Sequence, residues 1–145
     1  MPTVQDILRT KGGQVHTISA DATVLEATRL MNERKIGALV VMEDQRVAGI
    51  FTERDVLSRV VAAEQAPSTM RVRDAMTRQV VCCPPETDIN DAGGILRDRR
   101  IRHLPVCDGE GRLLGMISIG DLNAYHASQQ EAQIHFLHDY VYGRS

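Results

Sequence analysis

Two short segments place a hydroxyl side chain three residues before an aspartate. GIFTERD contains Thr52 and Asp55, and GMISIGD contains Ser118 and Asp121. An ionised aspartate offers two acceptor oxygens, which can take hydrogen bonds from both hydroxyls of a ribose. A hydroxyl at the start of a helix, beside free backbone N–H groups, suits a phosphate. The two segments are therefore candidate nucleotide-binding motifs.

The same spacing is also that of a helix N-cap. A Thr or Ser followed three residues later by an acid resembles a capping box, with Asp in the place of Glu. Local sequence favours this structural role, whereas the second copy of the motif favours a ligand. One carboxylate can serve both purposes, because it accepts more than one hydrogen bond. Both interpretations stay open on the motifs alone.

The two motifs belong to an internal repeat. Residues 15–57 align with residues 80–123 at an offset of 65, which rises to 66 after one extra residue near Gly111. The leader segments VQDIL (4–8) and VRDAM (72–76) also match. Self-similarity of this length indicates two copies of one structural unit. We divide the chain into four parts: repeat 1 (4–61), a linker (62–71), repeat 2 (72–126) and a C-terminal helical tail (127–145).

Each repeat is predicted to form a β-α-β-β-α unit. A first strand (15–18 or 80–83) leads into a helix from about residue 23 or 88, with apolar residues at helical spacing. A hairpin follows, and the last helix begins at the hydroxyl residue of the motif. Neither three-stranded sheet can cover itself. We therefore expect an α/β (α+β) fold with the repeats packed around a pseudo-twofold axis.

The first helix of each repeat has a predicted cap. Two pairs have capping-box spacing, Thr23 with Glu26 and Asp88 with Asp91. The second of these helices also contains Gly93 and Gly94, each of which costs up to ~1 kcal/mol relative to Ala. Either tight packing against the other repeat offsets this cost, or the helix is simply weak.

Composition argues against several protein classes. A net charge of −2 and only five aromatic residues do not fit a nucleic-acid-binding surface. No signal peptide and no apolar stretch of ~20 residues is present, so we expect a cytoplasmic protein that does not contact membranes. The three cysteines, Cys82, Cys83 and Cys107, lack C-x-x-C spacing and are expected to be small buried residues. No arrangement of catalytic side chains is evident.

The C-terminal segment holds a histidine pair. His135 and His138 would share a helix face, but two ligands are too few for a metal site, so none is expected. Ile134, Leu137 and Val141 have the spacing of an apolar face. We expect this tail to dock on its own domain or to help hold a dimer.

The repeat resembles a tandem pair of cystathionine-β-synthase (CBS) domains, often called a Bateman module. ATVLEATRLMNERKIGALVVMEDQRVAGIFTERDVL and DINDAGGILRDRRIRHLPVCDGEGRLLGMISIGDL carry the resemblance, which covers about residues 4–126. It implies a regulatory, ligand-binding module, usually dimeric. Members typically bind adenosine-containing ligands (AMP, ADP, ATP, NAD or S-adenosylmethionine) in clefts between the two repeats. The resemblance does not imply a catalytic cofactor.

The resemblance also assigns roles to residues. The hydroxyl and aspartate of each motif hold ribose and phosphate, and the other repeat supplies the adenine slot. For Ser118 and Asp121, which we rank first, the slot is Val15, His16, Ile36, Gly37 and Ala38. For Thr52 and Asp55 it is Val80, Val81, Ile101, Arg102 and His103. In that second slot, Arg102 and His103 either crowd the base or reach the phosphate. Arg54 and Arg100 are further candidate phosphate contacts.

The sequence thus predicts a non-enzymatic sensor of an adenosine nucleotide that relays occupancy to an effector protein. A ligandless dimerisation scaffold, in which both motifs only cap helices, is the main alternative. A nucleotide-modifying enzyme is a weaker one.

Overall fold

The computed structural model describes residues 2–12 and 14–141, and for residues 131–141 it describes the backbone alone. In chain order the elements are α1 (Val4–Lys11), β1 (Thr17–Ser19), α2 (Val24–Arg34), β2 (Ala38–Glu43), β3 (Arg46–Thr52), α3 (Glu53–Asp55) with a continuing π-helix (Val56–Val61), α4 (Val72–Ala75), α5 (Ile89–Arg99), β4 (His103–Cys107), β5 (Leu113–Ser118) and α6 (Ile119–Val141). The mixture of helices and small sheets confirms the predicted fold class.

Repeat 1 has the predicted three-stranded sheet. Strand β2 lies in the centre, parallel to β1 and antiparallel to β3. Helix α2 begins where expected, because the Thr23 hydroxyl accepts a hydrogen bond from the Glu26 N–H at 3.1 Å. The helix buries Val24, Ala27 and Met31, which is the apolar face that the sequence spacing predicted.

The three-stranded sheet predicted for repeat 2 is wrong, because residues 80–83 form no strand. The described sheet contains only β4 and β5, and Cys83 adds a single parallel bridge to Val106. In repeat 1 the first and second strands are joined by bonds from the Val40 and Ala20 N–H groups.

The positions corresponding to these two donors in repeat 2 are Pro105 and Pro85. Proline has no N–H to donate. Two ladder bonds are therefore lost. In the part of the chain that the structure describes, the bonds that remain here are those made by the Cys83 and Cys107 N–H groups, each at 3.0 Å.

Each leader helix packs on the other repeat. Val4, Ile7 and Leu8 of α1 are buried in the core of repeat 2, together with residues of α5, β4 and β5. Val72 and Ala75 of α4 are buried in the core of repeat 1. The sequence boundaries placed each leader with the repeat that follows it, whereas the packing exchanges the two leaders.

Matching backbone bonds fix this exchange. The Val4 N–H donates to Thr87 O at 2.9 Å, and the Val72 N–H donates to Ala22 O at 2.8 Å. Thr87 lies two residues before the first residue of α5, and Ala22 lies two residues before the first residue of α2. The two leaders are therefore held in equivalent positions, as the predicted pseudo-twofold relation requires.

The surroundings of Gly93 and Gly94 in helix α5 have room for a larger residue. The Asp88 carboxylate caps the helix through the Asn90 N–H at 2.7 Å rather than through Asp91. A Cβ on Gly93 would lie 3.7 Å from Leu122, and one on Gly94 would lie 3.8 Å from the Arg97 guanidinium. Both are ordinary contacts, so close packing against the other repeat does not explain the glycines.

Helix α6 continues from the second motif into the C-terminal tail. Residues 126–130 are exposed, as their polar composition predicted. The side chains of His135 and His138 and of the predicted apolar face lie outside the described residues. Along the described chain, no helix combines the length and apolar character needed to cross a membrane.

Candidate functional site

Both hydroxyl–aspartate motifs cap helices. Asp55 Oδ2 accepts from the Thr52 N–H at 2.9 Å, and the Asp55 N–H donates to the Thr52 hydroxyl at 3.4 Å. The corresponding bonds between Ser118 and Asp121 measure 2.8 and 3.1 Å. The capping interpretation is therefore confirmed in both repeats. Any ligand must use acceptor positions that the caps leave open.

Both carboxylate oxygens of Asp55 accept hydrogen bonds from the protein. The residue is only 4% exposed. Its Oδ2 also accepts from the Thr52 hydroxyl at 3.2 Å, and its Oδ1 accepts from the Thr77 hydroxyl at 3.1 Å. The Arg59 Nε lies 3.7 Å from the same Oδ1. Asp55 thus ties the motif to the chain that follows α4, and little acceptor capacity remains.

Asp121 is more open. Its side chain is 23% exposed. Among the residues that the structure describes, its Oδ1 accepts no hydrogen bond, while Oδ2 accepts from Ser118 and from the Lys11 ammonium at 2.7 Å. Partial burial by itself raises the pKa of Asp121. The Lys11 ammonium and the Ser118 donors outweigh that effect and hold the pKa below its usual value.

Two substitutions between the repeats account for this asymmetry. The positions that correspond to Thr77 and Arg59 in the other copy are Arg9 and Tyr125. The Arg9 guanidinium instead lies 3.8 Å from Asp6 on the surface of α1. The donors that close the Asp55 carboxylate therefore have no equivalent at Asp121. The sequence contained this signal, but alignment of the motifs alone missed it.

Four of the predicted adenine-slot residues contact the motif segment of their own repeat. Ala38 pairs with Thr52 across the first hairpin, and His103 pairs with Ser118 across the second. The Glu53 N–H donates to Gly37 O at 3.1 Å, and the Ile119 N–H donates to Arg102 O at 2.9 Å. The sequence assigned each segment to the motif of the other repeat, and that assignment stays a prediction.

The predicted slot residues and the predicted phosphate contacts Arg54 and Arg100 differ in exposure. Ala38 is buried, whereas the guanidinium-bearing residues Arg54, Arg100 and Arg102 are exposed. The others are partly buried: Val15, His16, Ile36, Gly37, Val80, Val81, Ile101 and His103.

His103 links the second motif electrostatically to repeat 1. Burial lowers the pKa of His103, and the nearby Lys11 ammonium lowers it further. Asp121 and Glu53, the first residue of α3, act in the opposite direction. The imidazole is therefore neutral at pH 7. Its environment combines charges from α1, from its own repeat and from repeat 1.

An open groove of about 440 Å³ lies on the helical side of repeat 1. Of the predicted site residues it contains only Ile36. Its lining also includes residues that were not predicted as site residues: Thr28, Met31, Asn32, Lys35, Glu53 and Val56.

The cysteines show no sign of a reactive centre. Cys83 and Cys107 are buried, as expected, but Cys82 is exposed. Burial, together with a hydrogen bond involving Cys82, raises the pKa of Cys107 to about 12. Within the described residues, no three His, Cys, Asp or Glu side chains form a group that could hold a metal ion.

Comparison with known proteins identifies relatives of both repeats. The family model described as "CBS domain" matches residues 4–62 and 72–127. The CBS domain-containing protein CBSX3, mitochondrial, from Arabidopsis thaliana is 33% identical over an alignment that covers 97% of this chain and 72% of that protein.

Solved structures agree with this result. The CBS-domain containing protein ATU1752 from Agrobacterium tumefaciens is 39% identical with a TM-score of 0.80, over 86% of this chain and 99% of that chain. The CBS domain pair of protein MJ0100, solved with 5-methylthioadenosine and S-adenosyl-L-methionine, shares the fold. It has 19% identity and a TM-score of 0.79, over 89% of this chain and 98% of that chain.

Proposed function

Since the chain belongs to the CBS-domain family and contains a tandem pair of these domains, which together form a regulatory module, we propose a sensory function. The molecule that it senses is an adenosine nucleotide, which binds at Ser118 and Asp121. Occupancy of this site changes the arrangement of the two repeats and is relayed to an effector protein. The relay requires that the nucleotide binds one arrangement more tightly than the other.

The open Oδ1 of Asp121 carries this proposal. A ribose diol needs a carboxylate with free acceptor capacity, and Asp121 has it while Asp55 does not. The Ser118 hydroxyl and the first N–H groups of α6 lie beside that carboxylate and suit a phosphate. We therefore propose one occupied site per chain. The MJ0100 pair is a precedent for adenosine ligands on this fold.

The adenine slot of the proposed site comes from repeat 1. Its members are Val15, His16, Ile36, Gly37 and Ala38. The small size of residues 37 and 38 supports this slot, and a flat ring that enters it must displace the Glu53 carboxylate, which lies 3.4 Å from the position of a Cβ on Gly37. Thr52, Asp55 and the slot opposite them then serve structure rather than binding.

A ligandless dimerisation scaffold is the second candidate. Both motifs cap helices, and the π-helix exposes two large apolar side chains, Leu57 at 67% and Val61 at 63%. Such a face suits a second copy of the chain. A homodimer is compatible with either function, so only ligand binding separates them.

The test is a thermal-shift and calorimetric panel of AMP, ADP, ATP, NAD and S-adenosylmethionine. A ligand at 100 times its Kd adds about 2.7 kcal/mol to the unfolding free energy. Asp121→Asn is expected to abolish that gain. The matched Asp55→Asn variant should lose intrinsic stability but keep the ligand's affinity. No shift with any ligand at millimolar concentration would support the scaffold instead.

A further inference from the structure

The ammonium of Lys11 covers the carboxylate on which the proposed site depends. Lys11 is the last residue of α1, and its Nζ donates to Asp121 Oδ2 at 2.7 Å and to the backbone oxygen of Met116 at 2.9 Å. These partners lie more than 100 residues away in sequence. The exchanged position of α1 brings the lysine there.

The contact is one that a ligand can displace. The Lys11 side chain is 36% exposed, and an exposed ion pair of this kind is weak because water and salt screen it. Its backbone ends a helix, where a cation is favourable without any partner. Displacement of the ammonium therefore does not require α1 to leave the core of repeat 2.

A ribose that binds Asp121 must share it with this ammonium or push it aside. Neutral adenosine has no anionic group that could replace the ion pair between Lys11 and Asp121. A cationic ligand such as S-adenosylmethionine adds repulsion. A nucleotide carries a phosphate, to which the released ammonium can donate a charge-assisted hydrogen bond.

We infer that Lys11 makes the proposed site selective for phosphorylated adenosine ligands over neutral or cationic ones. This inference rests on the proposed function, because it concerns the same site. Lys11 holds the carboxylate in the empty site and becomes a phosphate ligand in the occupied one. The exclusion of nucleosides and the recognition of nucleotides thus depend on one side chain.

The experiment compares the Kd values of AMP, adenosine and S-adenosylmethionine by calorimetry in wild type, Lys11→Gln and Arg9→Gln. Arg9 lies on the same helix, is exposed and contacts Asp6 rather than Asp121. Arg9→Gln therefore removes one positive charge, as Lys11→Gln does, but at a position outside the proposed site. All three proteins are compared at one ionic strength, because exposed charges are screened by salt.

In Lys11→Gln, we expect adenosine to bind about threefold more tightly and AMP about tenfold more weakly. The preference for AMP over adenosine should fall at least tenfold, and the preference over S-adenosylmethionine should also fall. Arg9→Gln should keep both preferences. Unchanged preferences in Lys11→Gln, with AMP still bound, would overturn the role of Lys11 but not the proposed function. An absence of binding by wild type and by both variants would overturn both.

Discussion

Replacing Gly115 by alanine tests the exchanged leaders directly. A Cβ at this position would lie 2.7 Å from Leu8 Cδ2, far inside normal contact, and Leu8 is only 5% exposed. Overpacking of this kind costs about 1–3 kcal/mol. Leu8→Ala alone leaves a cavity and costs about 2–5 kcal/mol. Because α1 packs against β5, Leu8→Ala removes the atom with which the new Cβ at position 115 collides.

The double variant is therefore expected to be about as stable as Leu8→Ala alone, rather than to show the sum of the two losses. The double-mutant cycle should give a coupling of about 1–3 kcal/mol that favours the double variant. Urea unfolding monitored by circular dichroism measures each free energy, and unchanged m-values would show that the transition itself is the same.

Gly49 provides the matched control in repeat 1. A Cβ there would lie 2.6 Å from the backbone oxygen of Thr77 and 2.8 Å from Met76 Sδ. Truncation of Met76 relieves only the second collision, so Gly49→Ala should stay strongly destabilising in Met76→Ala. Strict additivity of Gly115→Ala and Leu8→Ala would refute the placement of α1 on repeat 2.

Three further outcomes follow from single contacts. Gly94→Ala should raise the unfolding free energy by about 0.5–1 kcal/mol in thermal unfolding, because the new methyl group meets only ordinary contacts in a helix. In native protein, Ellman's reagent should modify the exposed Cys82 but not the buried Cys107, whose pKa is raised to about 12, and denaturant should expose both. The folded-state pKa of Asp121 is lowered, so its stabilisation is present above the unfolded pKa of about 3.9 and is lost as pH falls through the folded value. The stability difference between wild type and Lys11→Gln should therefore shrink as pH falls below about 4. A difference independent of pH would contradict the ion pair.

Local patterns in the sequence were enough to predict most of the elements. Helical spacing in α2 and α5 identified their buried faces, and hydroxyl–aspartate spacing located the caps at Thr52 and Ser118. These features depend on residues only three or four positions apart. The repeat itself predicted two equivalent units.

The features that the sequence did not predict depend on contacts between segments that are distant along the chain. The first strand of repeat 2 is missing because Pro85 and Pro105 replace Ala20 and Val40, whose N–H groups bond the first two strands of repeat 1. The alignment shows these replacements, but their effect is evident only once the hydrogen bonds of repeat 1 are known. The exchange of leaders leaves no local signature, because the same apolar face fits either sheet.

The difference in openness between Asp55 and Asp121 also depends on contacts between distant segments. Thr77 closes the carboxylate of Asp55 from a segment 22 residues away, and Lys11 reaches Asp121 across 110 residues. Only the fold places these groups together.

The exchanged leaders also decide what counts as an independent part of this molecule. A fragment that ends in the linker would hold repeat 1 without α4, and would carry α1 with its apolar face uncovered. The other fragment would have the opposite deficit. Two sequence repeats therefore do not make two autonomous folding units, because each half completes the interior of the other. Any event that loosens one leader is therefore felt first in the repeat on which that leader packs.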